Sequence, residues 1–99
     1  MFDLVKKTEG KNMEIKLSGR LDANSYQQLE TVIRTEIDGI ESLVFDCEAL
    51  EYISSAGLRV FLSAQKLMSK QGTMVVKKVC KEVYEIFEVT GFADVLTIE

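Results

Sequence analysis

Ser42-Leu43-Val44-Phe45-Asp46 and Thr73-Met74-Val75-Val76 are two short apolar runs, and between them residues 57–71 carry a helical pattern that stops at Gly72. A short apolar run bounded by polar turns is the signature of a buried strand. In the intervening segment Arg59, Ser63, Lys66 and Lys70 recur at i, i+4, i+7 and i+11 and trace a solvated stripe, while Val60, Phe61, Ala64, Leu67 and Met68 face inward. Strand, helix and strand in this order predict a parallel pair joined by a right-handed crossover.

Working outward, residues 2–7 and 13–18 read as strands, and Met13-Glu14-Ile15-Lys16-Leu17 alternates apolar and charged side chains. Polar Glu9-Gly10-Lys11-Asn12 between them predicts a hairpin turn. Asn24 and Ser25 signal a helix start, with Gln28 completing a capping-box pattern. Leu29, Val32, Ile33 and Ile37 form one face of that helix, which stops at Gly39. Val83, Ile86, Phe87 and Thr90 mark a short third helix closed by Gly91, and residues 93–98 read as a last strand. The expected fold class is α/β: a mixed β-sheet with an N-terminal hairpin and about three helices packed against it.

The chain has 99 residues, 46% of them apolar, which suits one core and a single domain over residues 1–99. Twelve Lys and Arg stand against sixteen Asp and Glu, and the net charge of −4 lacks the positive field that a nucleic-acid partner requires. Histidine is absent. That removes the usual activator of a Ser or Cys nucleophile and the commonest metal ligand, so neither a Ser-His-Asp nor a Cys-His enzyme is encoded. Cys47 and Cys80 lack CxxC spacing and are expected as reduced, buried small hydrophobes. No run is long enough to span a bilayer, and residues 1–7 lack a secretion-signal pattern, so a cytoplasmic protein with no membrane partner is expected.

In an open α/β sheet, sites gather beyond the carboxyl ends of the strands. Two segments at such places are chemically unusual. Leu21-Asp22-Ala23-Asn24-Ser25 sets a carboxylate beside small polar side chains, a combination that plain helix capping also favours. Leu50-Glu51-Tyr52-Ile53-Ser54-Ser55-Ala56-Gly57-Leu58-Arg59, read as a loop into the second helix, puts two hydroxyls where free N–H groups and the helix dipole favour an anion. A serine there either caps the helix or carries a phosphate of about −1.5 to −2 charges. Gly57 permits close backbone approach. Asp46 is expected to order the chain after it through backbone hydrogen bonds, and Lys77, Lys78 and Lys81 to form a solvated edge.

Ile53-Ser54-Ser55-Ala56-Gly57-Leu58-Arg59, between a strand ending in Asp46 and an amphipathic helix, resembles the phosphorylation loop of bacterial anti-sigma factor antagonists, which are single STAS domains. Gly19-Arg20-Leu21-Asp22 is similar to that family's Gly-x-apolar-Asp segment before the first helix. Gln71-Gly72 with Met74-Val75-Val76 resembles its second-helix exit and next strand, and Val83, Phe87, Gly91 and Phe92 its C-terminal helix and turn. The likeness covers almost the whole chain and implies a STAS fold. It places Ser55 at the phosphoacceptor position, Ser54 where Asp is often found, and Ala56 where a second Ser or Thr is common. Ser54 is therefore a competing acceptor.

The same resemblance implies partner switching rather than catalysis. The unmodified domain would bind an anti-sigma factor, itself a serine kinase of the histidine-kinase-like ATPase type, and free the sigma factor. Phosphorylation would end binding, and a PP2C-type phosphatase would restore it. Asp22, Asn24, Ser54, Ser55, Ala56, Gly57, Leu58 and Arg59 are then the expected contact surface. The alternative is a STAS interaction module that regulates a transporter or another signalling complex through the same loop. No P-loop or GxGxxG accompanies the second helix, and no cofactor is expected.

Overall fold

Met13, Ile15 and Leu17 are buried while Lys16 between them is exposed, so the period-two pattern sets which face of the sheet meets the helices. The computed structural model describes residues 1–99. Its elements run β1 (Phe2–Glu9), β2 (Asn12–Leu21), α1 (Tyr26–Glu36), β3 (Ser42–Ile53), α2 (Ser55–Met68), β4 (Thr73–Lys77) and α3 (Lys81–Thr90), then a 3-10 turn at Phe92–Asp94. The strands lie in the order β1-β2-β3-β4. β1 and β2 form the antiparallel hairpin, and β2, β3 and β4 pair in parallel through crossovers containing α1 and α2. The mixed sheet with its N-terminal hairpin and three helices is the architecture read from the sequence. Phe61 of α2 stacks on Phe45 of β3 at 4.6 Å and meets Phe87 of α3 at 6.1 Å, tying sheet and both helices into one core.

Several local expectations change. β3 runs on through Leu50-Glu51-Tyr52-Ile53, which had the look of a loop, because the second half of β2 continues to pair with it past a bulge at Lys16/Ser18. Leu67 is 39% exposed instead of inward: it flanks the solvated stripe in the last turn of α2, beyond the width of the buried face. Residues 93–98 form no strand. The chain leaves α3 through left-handed Gly91 into the 3-10 turn, and only Ile98 bridges to Val76. Cys47 is buried as expected, but Cys80 is half-buried at the start of α3, its thiol donating to the Leu50 carbonyl at 3.5 Å. Asp46 accepts the Glu48 N–H at 3.0 Å, the backbone-ordering role anticipated for it, although the ordered residues are strand rather than loop.

Candidate functional site

Parallel pairing sets Leu21 opposite Ile53, so the segments that follow, Asp22–Ser25 and the start of α2, leave the sheet side by side. A backbone hydrogen bond from Ser54 N–H to the Leu21 carbonyl, 2.9 Å, fastens them together. The β2 to α1 segment is held by its own polar atoms. Asp22 Oδ1 accepts the Asn24 N–H at 3.0 Å, an Asx turn. Buried Ser25 makes no cap to α1; its Oγ instead accepts the Asp22 N–H at 3.0 Å and lies 2.7 Å from the Arg20 carbonyl, to which it donates. The capping-box expectation for Ser25 and Gln28 fails because this hydroxyl faces back into the turn. Asp22 is thus half structural, with Oδ2 turned toward Arg20 and Asn24 exposed beside it.

The two serines have opposite environments. Ser54 is the N-cap residue of α2 but its side chain caps nothing, and its Oγ is buried without a hydrogen-bond partner. Ser55, the first helical residue, is exposed. The first intrahelical bond at this end is Leu58 N–H to the Ser54 carbonyl at 2.9 Å, so the N–H groups of Ser55, Ala56 and Gly57 have no helical acceptor. No acidic residue stands in that first turn. Ala56, Gly57 and Leu58 are buried, whereas Arg59 is exposed one turn beyond Ser55. A Cβ on Gly57 would come within 2.8 Å of Ile53 Cγ1 and of Leu21 Cγ, so the close approach that this glycine permits is to the strand ends beneath the site.

Sequence reasoning did not single out Arg20 and Tyr52, which the register places opposite one another. The Arg20 guanidinium lies 4.3 Å from the Tyr52 ring centroid, and its Nε is 3.9 Å from Asp22 Oδ2. Arg20 lies one position before the first unusual segment and Tyr52 lies within the second, and only the strand pairing brings them together. Beside them a shallow polar concavity of about 370 Å³ is lined by Met1, Phe2, Arg20, Asp22, Asn24, Ser25 and Gln28. Its first member is placed by Gly19: a Cβ there would collide with the Met1 carbonyl, which accepts the Arg20 N–H at 3.1 Å.

The family model of the STAS domain matches residues 3–99. BtrV of Bordetella bronchiseptica, provisionally named an anti-sigma factor antagonist, is 37% identical over 84 residues, 83% of this chain and 72% of that protein. The anti-sigma-B factor antagonist of Staphylococcus aureus is 27% identical over 93 residues, 92% of this chain and 86% of that one. Among solved structures, the anti-sigma factor antagonist SpoIIAA in its unphosphorylated form matches with a TM-score of 0.82 at 20% identity, over 100% of this chain and 88% of that one. The Bacillus SpoIIAA in its phosphorylated form matches with a TM-score of 0.74 at 19% identity, over 100% and 91%. The structural likeness is one of fold, and the match to the family model runs from β1 to the end of the chain: this protein belongs to the STAS domain family.

Proposed function

We propose that this STAS domain is an anti-sigma factor antagonist that works by partner switching, with Ser55 as the residue modified. One observation carries the assignment of the site: Ser55 is the exposed hydroxyl on the first turn of α2, fastened beside the Asp22 turn by the Ser54–Leu21 hydrogen bond. The buried Ser54 Oγ favours Ser55 over Ser54 as acceptor. Asp22, Asn24, Ser55 and Arg59 supply side chains to the docking face, while Ser54, Ala56, Gly57 and Leu58 shape it from beneath. The names of the bacterial relatives support an anti-sigma factor as partner.

In this reading the partner is also a serine kinase of the ATPase type. Ser55 Oγ bonds to the γ-phosphorus of ATP as the bond to ADP breaks, and the hydroxyl proton passes to a base on the kinase. The added −1.5 to −2 charges, approximately, fall where docking excludes water, and a few kcal/mol of repulsion or desolvation lowers affinity by orders of magnitude. Hydrolysis by a PP2C-type phosphatase restores the hydroxyl. The chain itself acts as a partner and not as an enzyme, in the cytoplasm; none of its helices is long and apolar enough to cross a membrane.

The test is affinity capture from the native lysate with wild type, Ser55→Ala and Ser55→Asp, with the phosphate mapped on recovered wild-type chain. Wild type and Ser55→Ala are expected to hold an ATPase-fold kinase that Ser55→Asp loses, with phosphate on Ser55. Capture of a transporter complex by all three variants, with Ser55 unmodified, would replace this reading with the non-sigma interaction module.

A further inference from the structure

We propose that Arg59 is the internal counter-ion of phosphorylated Ser55, so that modification both adds an anion to the docking face and withdraws its free cation. The proposal rests on Ser55 being the phosphoacceptor and deepens that reading by assigning Arg59 a second state. Residues i and i+4 of a helix share one face with Cβ atoms about 5–6 Å apart, and Ser55 and Arg59 are both helical and both exposed. The pair therefore forms by a side-chain rotation, with no charge buried.

Arg59 is the one of the three arginines that has no ion-pair partner in the unmodified chain. The ion pairs of the protein are Lys6–Glu36, Lys7–Glu9, Lys11–Glu41, Arg20–Asp22, Arg34–Glu30 and Lys78–Asp46, and Arg59 has no part in them. α2 contains no carboxylate at all, and a cation in the turns next to a helix N-terminus meets the unfavourable end of the dipole. An anion at Ser55 removes both defects. Arg20, the other cation near the docking face, is already committed to Asp22 and the Tyr52 ring. Before modification the Arg59 guanidinium is free for a carboxylate on the partner; afterwards the phosphate holds it, in the charge-assisted geometry that guanidinium and phosphate favour.

The experiment uses the full chain carrying genetically encoded phosphoserine at position 55, in the wild-type background and with Arg59→Gln or Arg59→Lys. The second ionisation of the phosphate is followed by phosphorus NMR. An exposed i, i+4 ion pair predicts a midpoint about 0.3 lower with Arg59 than with Arg59→Gln, with Arg59→Lys between them and the difference vanishing at about 1 M salt. The helix N-terminus, Asp22 and Arg20 act alike in all three chains and cancel. Superimposable titration curves would overturn the proposal. Because the phosphoserine is installed without a kinase, that failure is distinct from failure of the capture experiment, which asks whether Ser55 is modified in the cell.

Discussion

Cys47 shows how far one residue's chemistry is set by its position. Burial, with the Asp46 carboxylate and the Cys80 thiol adding to it, pushes the Cys47 thiol from 9.0 up to about 12. Above pH 9 the unfolded chain releases this proton and the folded chain keeps it, so the unfolded state binds fewer protons and stability falls as pH rises. The contribution is intact below pH 9 and is lost progressively as pH rises from 9 toward about 12. Cys47→Ala, which costs some packing at every pH, should flatten that alkaline decline when urea midpoints are compared between pH 8 and 10.5; parallel curves would refute it. Gly57→Ala tests the close approach beneath the site. The new methyl must displace Leu21 and Ile53, both at most 1% exposed, so a loss of about 1–3 kcal/mol is expected in denaturant unfolding. Gly57 was legible in the sequence as a close-approach position, but which atoms it approaches was not, because Leu21 is thirty-six positions away along the chain.

At the scale of elements, the turn from β2 to α1 is held by Ser25 rather than capped by it. Ser25→Ala leaves the Asp22 N–H and the Arg20 carbonyl without this hydroxyl, at a cost of about 1–3 kcal/mol, and loosens the Asp22 carboxylate of the proposed docking surface. Asn24→Ala, at an exposed position, should leave the denaturation midpoint nearly unchanged while weakening capture of the partner. Equal stability losses in the two variants would show that the Ser25 bonds do not hold the turn. The ends of α1 and α2 are braced in a similar way: the Gln71 side-chain amide donates to the Ile37 carbonyl at 2.8 Å and the Ile40 carbonyl at 2.7 Å. Both helices were legible from their apolar spacing, since periodicity records which face is buried. The direction in which a single hydroxyl points at a helix start is not periodic, and the capping-box pattern accordingly misled.

For the molecule as a whole, Ser55 is exposed and lies outside the core cluster of 24 buried residues. The proposed phosphorylation should therefore change charge and leave the fold alone, taking the net charge from −4 to about −6. Amide NMR shifts on modification are expected within about residues 20–26 and 52–60, the two segments that the parallel register joins; changes spreading through β4 and α3 would show that the switch works by rearrangement. By itself the sequence determined the α/β class, the hairpin, the helices, the absence of histidine chemistry and the motif around Ser55, because each is written in local spacing or composition. Only the tertiary structure decided that β3 continues to Ile53, that the Asp22 turn and the start of α2 adjoin, that Arg20 stacks on Tyr52 and that the Ser54 Oγ is buried while Ser55 is exposed. Those facts depend on the register of strands distant in sequence, and a register is set by the packing of the whole core rather than by any segment alone.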